Sequence, residues 1–246
     1  MKKFITLFLV LSITLFAKSI NIAVAANVSF AIDELKAEFK KSYPNTDVHV
    51  TLGSSGKLTA QIKNGAPYGL FMSANMKYPE ALFAQKIAIT KPVIYAQGAL
   101  AYFSGKKMNF SQGIKLVQNR AIDKIAIANP KTAPYGKAAV EAMMSGGVYE
   151  NVKKKFVYAE SISQTVTYAL TAADIGFIAK SSLYSSKMKQ YKEGIHWESV
   201  NPKLYSPIKQ GIVLLKYGSD NSVYKAFYDF ILSQKAKTIF AKYGYM

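Results

Sequence analysis

The 246-residue chain sets 32 lysines and arginines against 14 acids, a formal charge of +18, and contains no cysteine. Without cysteine a lipid anchor at a processed N-terminal cysteine is excluded, and a chain this long buries a sufficient core without disulfides. The lysines are scattered, as in "KMKQYKEG" and "NVKKKF", with no long basic block and no zinc-finger spacing; this argues against nucleic acid and for a solvated surface that can steer small anions.

The chain opens with "MKKFITLFLVLSITLFAKS": two lysines, an apolar run from Phe4 to Phe16, then Ala17 as the cleavage residue. That is the layout of a secretory signal peptide. The run falls short of the ~20 residues of a spanning helix. Residues 1–17 are expected to be removed, lowering the charge by two to +16 as Lys2 and Lys3 leave. The mature protein is expected to be soluble and exported, to a bacterial periplasm.

Strand and helix signals then alternate. "INIAVAA" (20–26) reads as a buried strand, and "AIDELKAEFKKSY" (31–43) puts Ile32, Leu35 and Phe39 on one helical face. "TDVHVTL" (46–52) alternates as a strand, and "KLTAQIKNG" (57–65) reads as a helix stopped by Gly65. A strand at 69–75, a helix at 76–86 and strands at 98–104 and 124–129 follow. The helix "GKAAVEAMMSGG" (136–147) ends in two glycines; beyond it come a strand at 156–160, a helix at 163–173 and a strand at 174–182. A strand at 211–216 and an amphipathic helical region at 222–244 complete the chain. Repeated βα units imply α/β lobes, each a mainly parallel sheet flanked by helices. Two lobes suit this length better than one.

In doubly wound sheets ligands sit beyond the carboxyl ends of strands, against helix N-termini. Four corners between strand and helix stand out: "AANVSFA" (25–31), "GSSGKL" (53–58), "APYGK" (133–137) and "ESISQT" (160–165). They offer hydroxyls, an amide and the unpaired N–H groups of helix starts, which carry about half a positive charge. Ser and Asn before a helix are most often plain N-caps, so a single such corner decides little. Four of them, with one acid at the outer edge of one motif (Glu160), suit a fully ionised anion.

The same motifs carry a resemblance. "VAAN", "GSSGKLTAQIKNGAP" with "LFMSAN", "NPKTAPYGKAA", "SISQTV" with "ADIGFIA", "SPIKQG" and the C-terminal "FYDFILS…AKTIFAKYGY" resemble, in order and over essentially the whole mature chain, the periplasmic molybdate-binding proteins of ABC importers. The resemblance implies a two-lobed type II periplasmic binding-protein fold, with residues 18–97 and 208–246 forming lobe one and 98–207 lobe two. It implies a tetrahedral oxyanion held between the lobes by neutral donors. Position by position, the contacts fall on Ala26, Asn27, Ser54 and Ser55 in lobe one. In lobe two they fall on Tyr135 and Ile162, through their backbones. Molybdenum would enter only as the bound oxyanion, with no separate metal site and no cofactor. The chain departs from the family at Ala179, where some members place a tyrosine hydroxyl on the anion; Asn27 is the candidate replacement. It departs again at Gly69, where "GAPYGLF" lacks the usual acid, a loss expected to loosen the support around the site.

Protonation separates the anions. Phosphate keeps a proton near neutral pH and wants an acceptor, whereas molybdate, tungstate and sulfate are dianions that want only donors. Molybdate, with tungstate, is the expected ligand, and sulfate is the alternative. An anion-handling enzyme is the weaker rival: His49 and His196 lack metal-ligand spacing, and no GxSxG elbow, Walker loop or HExxH occurs. The expected partner is the membrane permease of an ABC importer. The expected state is a monomer, closing about hinges near Gly98 and Pro207-Ile208.

Overall fold

The computed structural model describes residues 18–246; the expected leader, 1–17, lies outside the described residues. In chain order the elements are β1 (Lys18–Ala25), α1 (Ile32–Ser42), β2 (Thr46–Gly53), α2 (Ser55–Lys63), β3 (Leu70–Met72), α3 (Lys77–Ala84), β4 (Val93–Gly98), β5 (Leu100–Phe103), β6 (Ile125–Ala128), α4 (Pro134–Ser145), α5 (Tyr149–Val152), β7 (Phe156–Ala159), α6 (Ile162–Thr171), β8 (Ile175–Ala179), β9 (Trp197–Ser199), β10 (Ile208–Leu214), α7 (Ser222–Leu232) and α8 (Gln234–Lys242). They form two five-stranded sheets, ordered β2-β1-β3-β10-β4 and β7-β6-β8-β5-β9. The result is a two-lobed α/β fold.

The central strands of each sheet are buried on both faces, and the alternation of side chains decides which residue faces which layer. On β1, Ile20, Ile22 and Val24 pack with Leu35 and Phe39 of α1 and Phe227 of α7, while Ala23 faces Leu58, Ile62 and Phe71 on the other side. On β6, Ile125 and Ile127 face Ala138, Ala139 and Ala142 of α4, and Ala126 faces Val166 and Ala169 of α6. Burying each large aliphatic side chain contributes about 1.5–3 kcal/mol. An Ile127→Ala substitution in this layer would therefore cost roughly 2–5 kcal/mol.

Three strands of each sheet run parallel, as βα units require: β2, β1 and β3 in one, β7, β6 and β8 in the other. The remaining pairings are antiparallel because β10 runs against β3 and β4, and β5 against β8 and β9, where the chain passes between lobes. β4 ends at Gly98 in the first sheet and β5 starts at Leu100 in the second. The return strand β10 pairs Ile208 with Gly98, so the two crossings lie side by side. A bulge at Gln210/Gly211 interrupts this pairing opposite Tyr95.

Several boundaries differ from the sequence expectation for identifiable reasons. Helix α2 begins at Ser55, and α4 begins at Pro134, where proline's missing N–H costs nothing in a first turn. The expected strand 98–104 is two strands meeting at Ala99. The expected 211–216 strand starts three residues earlier, at Ile208. The single helical region 222–244 is two helices: Ser233 is extended (ψ 162°) and its hydroxyl caps the Ala236 N–H of α8. Strands β4 and β9 were not expected, since neither "VIYAQG" nor "WES" alternates in hydropathy.

Candidate anion-binding site

The four corners meet. Ala25, Ala26 and Asn27 at the end of β1, Gly53, Ser54 and Ser55 at the end of β2, Ala74 after β3, Ala133, Pro134 and Tyr135 at the start of α4, and Ile162 at the start of α6 line one cavity between the lobes. All six residues expected to contact the anion stand in this wall. The space between these residues is narrow, about 190 Å³ with its opening to solvent included, below the ~300 Å³ of a pocket for an organic solute. A larger groove, about 1210 Å³ on the same measure, lies along β4, α8 and the C-terminus; Gln234 at the start of α8 borders it, but its wall is largely apolar and no second helix start reaches it.

The cavity offers donors and no carboxylate. Ser55, Tyr135 and Ile162 occupy the first turns of α2, α4 and α6, where N–H groups have no helical acceptor. None of these three first turns holds an acid, whereas α1, α3 and α5 each do. The first turns of α7 and α8 also lack an acid. The Ser55 hydroxyl accepts from the Ala74 N–H at 2.9 Å, which leaves its own proton free to donate. Ser54 is buried in the N-cap position of α2, yet its hydroxyl caps nothing and has no partner. By contrast Ser161, before α6, caps the Gln164 N–H at 3.3 Å. Tyr135 is the one titratable residue in the wall, and burial pushes its hydroxyl well above the usual tyrosine range, so it stays neutral.

The lobes touch around this cavity. The Gly56 N–H donates to the Thr132 carbonyl at 2.9 Å. A Cβ on Gly56 would lie 2.7 Å from Tyr78 Oη and 3.0 Å from Thr132 Cα, so the approach requires glycine. Lys57 Nζ meets Glu160 Oε1 at 2.6 Å, which gives the sole acid of the four motifs an ion-pair partner outside the cavity. Ser181 Oγ donates to the Asn27 carbonyl at 3.2 Å.

Both family departures have structural answers. Ala179 packs into the core of the second lobe and takes no part in the cavity wall, while Asn27 does. Gly69 precedes β3 at the end remote from Ala74, and the Tyr224 ring fills the place of a side chain there, 2.4 Å from where a Cβ would stand. Tyr224 Oη in turn accepts the Asn21 N–H at 3.0 Å. Gly69 therefore stands away from the cavity wall, covered by an aromatic ring.

Sequence reasoning missed Gln210, Tyr95 and Tyr245. Gln210 is fully buried and joins Asn27, Tyr95 and Tyr135 by hydrogen bonds of 2.9, 2.8 and 3.1 Å. Tyr245, whose hydroxyl is raised to about 12 by burial, donates to the Asn27 carbonyl at 2.7 Å. The available signal was an amide among the apolar residues of "IKQGIVL", at an inward position next to the outward Lys209. His49 is exposed on β2, and His196 Nδ1 accepts the Lys192 N–H; among the described residues no three His, Cys, Asp or Glu side chains cluster as metal ligands.

A two-lobed fold with a small donor-lined cavity between the lobes defines a solute-binding protein, and sequence comparison agrees. Residues 20–246 match the family of bacterial extracellular solute-binding proteins, and the chain belongs to it. It is 37% identical to the molybdate-binding protein ModA of Rhodobacter capsulatus, over 91% of this chain and 86% of that one. With the ModA of Azotobacter vinelandii it shares 34% identity over 93% and 90%. The solved Azotobacter vinelandii periplasmic molybdate-binding protein superposes with a TM-score of 0.83 at 30% identity, covering 92% and 98% of the two chains.

Proposed function

We propose that this protein is the periplasmic receptor for molybdate, and for tungstate, of an ABC importer. The intact dianion is held by the N–H groups of Ala26, Asn27, Ser55, Tyr135 and Ile162, by the hydroxyls of Ser54 and Ser55 and by the Asn27 amide. Ser54 carries this reading: a buried hydroxyl at a helix start, without a partner, is costly unless a ligand uses it. Half a dozen hydrogen bonds to a charged group, at ~1.5–3 kcal/mol each, cover the ~8 kcal/mol of micromolar binding and the cost of ordering two lobes. The lobes, taken as 18–97 with 208–246 and 98–207, close by bending at the paired crossings near Gly98 and Pro207-Ile208.

The protein acts as a monomer, is exported by a cleaved leader at 1–17, needs no cofactor and passes its load to a membrane permease. It binds without turnover, since no basic side chain lines the cavity to activate Ser55. Calorimetric titration of the leaderless protein with molybdate, tungstate, sulfate and phosphate tests the assignment. Tight binding of the first two with silence from the others is expected. Binding of sulfate alone keeps the receptor and changes its substrate, and silence from all four overturns the reading.

A further inference from the structure

The chain of hydrogen bonds behind the cavity has a direction, and that direction is unfavourable to an anion. Asn27 points its amide NH2 away from the cavity, to Gln210 Oε1 at 2.9 Å and Tyr245 Oη at 3.1 Å, and its Oδ1 is buried with no partner. A carbonyl oxygen can only accept, so facing an oxyanion it would repel. The two ends of an amide are nearly the same size, and turning the group over exchanges hydrogen bonds without repacking. Asn27 cannot turn alone, because its oxygen would then meet the oxygen of Gln210, acceptor against acceptor.

If both amides turn, every group behind the cavity is paired and only the Asn27 NH2 is left for a ligand. The Tyr135 O–H, which now only accepts from Gln210 Nε2 at 3.1 Å, donates to Gln210 Oε1. Gln210 Nε2 then donates to Asn27 Oδ1 and to Tyr95 Oη, while the Tyr95 O–H keeps the Ser73 carbonyl at 3.4 Å. The Ser181 O–H continues to serve the Asn27 carbonyl, which frees the Tyr245 O–H to reach Asn27 Oδ1. Asn27 Nδ2 is released toward the cavity.

We propose that Gln210 is a positioning residue of the anion site: it turns together with Asn27 so that Asn27 presents its NH2 edge to the anion. Because Gln210 sits on the crossover strand β10 and holds Tyr135 of the second lobe, it also ties that orientation to the docking of the two lobes. This inference rests on the oxyanion reading above.

A double-mutant cycle with molybdate as the probe tests it. Gln210→Met and Asn27→Ala should each weaken molybdate binding at least tenfold, about 1.4 kcal/mol. If Gln210 acts through Asn27, the double variant should bind within about threefold of Asn27→Ala alone. Losses that multiply to a hundredfold, or native affinity in Gln210→Met, overturn the proposal. Tyr135→Phe, which removes only the hydroxyl, repeats the cycle should Gln210→Met fail to fold, with the same two outcomes. In the unaltered chain the Gln210 side-chain NH2 resonances should shift together with those of Asn27 on adding molybdate, because both amides exchange partners; a Gln210 pair that stays unmoved while Asn27 shifts also overturns it. Silence of the unaltered chain toward all four oxyanions removes the functional reading itself, and is distinguishable from molybdate binding with multiplying losses, which removes only the role of Gln210.

Discussion

Ser54 and Ser161 are the same residue in the same local setting, each extended at the N-cap of a helix that starts at the cavity. Ser161 behaves as an N-cap serine should, with its hydroxyl accepting the Gln164 N–H. Ser54 does not; its hydroxyl is buried and unpartnered. Local sequence preference explains the first completely and leaves the second without a use inside the chain. What separates a capping serine from a binding one is therefore the destination of one hydroxyl, which no motif records.

The largest effect should come from removing the hydroxyls on the unsatisfied side of this comparison. Ser54→Ala with Ser55→Ala deletes two hydrogen bonds to a charged ligand, at ~1.5 kcal/mol or more each, so molybdate binding should weaken by about a hundredfold or more in calorimetry. Ser54→Ala alone should leave the ligand-free melting temperature unchanged or slightly raised, because a buried orphan is removed. Ser161→Ala should do the opposite, costing ~1 kcal/mol of stability with affinity nearly intact. Affinity falling equally in both single variants would erase the distinction.

The hydroxyls behind the cavity make a second contrast, with pH as the lever. Nothing that titrates between pH 6 and 9 lines the cavity, so affinity for a dianion should be flat across that range. Stability should not stay flat further up. Tyr245 ionises near 12 in the folded chain and near 10 when unfolded. Below pH 10 both states hold the proton and the group adds no pH dependence. As pH rises from about 10 through 12, the unfolded state ionises first and up to roughly 3 kcal/mol of stability is lost. Denaturant midpoints from pH 9 to 12 check this, and Tyr245→Phe should flatten part of the slope.

Closure is the next test, and its expected effect is smaller. Gly56→Val introduces a side chain where the lobes come within 3.0 Å of a Cβ. The first lobe should still fold, since this contact lies between lobes. Binding should weaken about tenfold, near 1.4 kcal/mol, and solution scattering should show less compaction on adding molybdate than in the unaltered chain.

Much of this architecture was legible because its causes are local. The apolar run of β1, the alternation on β2, the apolar stripe of α1 and the glycine after α2 each act over a few residues, and the corners could be named before their convergence was known. Ser54, Ser55, Tyr135 and Ile162 share a cavity because two sheets align their carboxyl ends, a fact of topology. Gln210 lay beyond reach for a different reason: its partners are 183, 115 and 75 residues away in the chain. The break at Ser233 was missed because its flanks share one helical periodicity, and only the cap on Ala236 reveals the stop.

The smallest effect should come from the most conspicuous contact, the Lys57–Glu160 pair that spans the lobes. At 2.6 Å it is the shortest of the inter-lobe contacts around the site, but the two side chains are 49% and 71% exposed. Exposed pairs contribute only ~0.2–1 kcal/mol, and salt screens them. Glu160→Gln should therefore change molybdate affinity by less than about fivefold, and the difference should fade at high ionic strength. A larger loss that persists in salt would mean that the pair is drier in the loaded protein than here, and that closure is held at the surface as well as at Gly56.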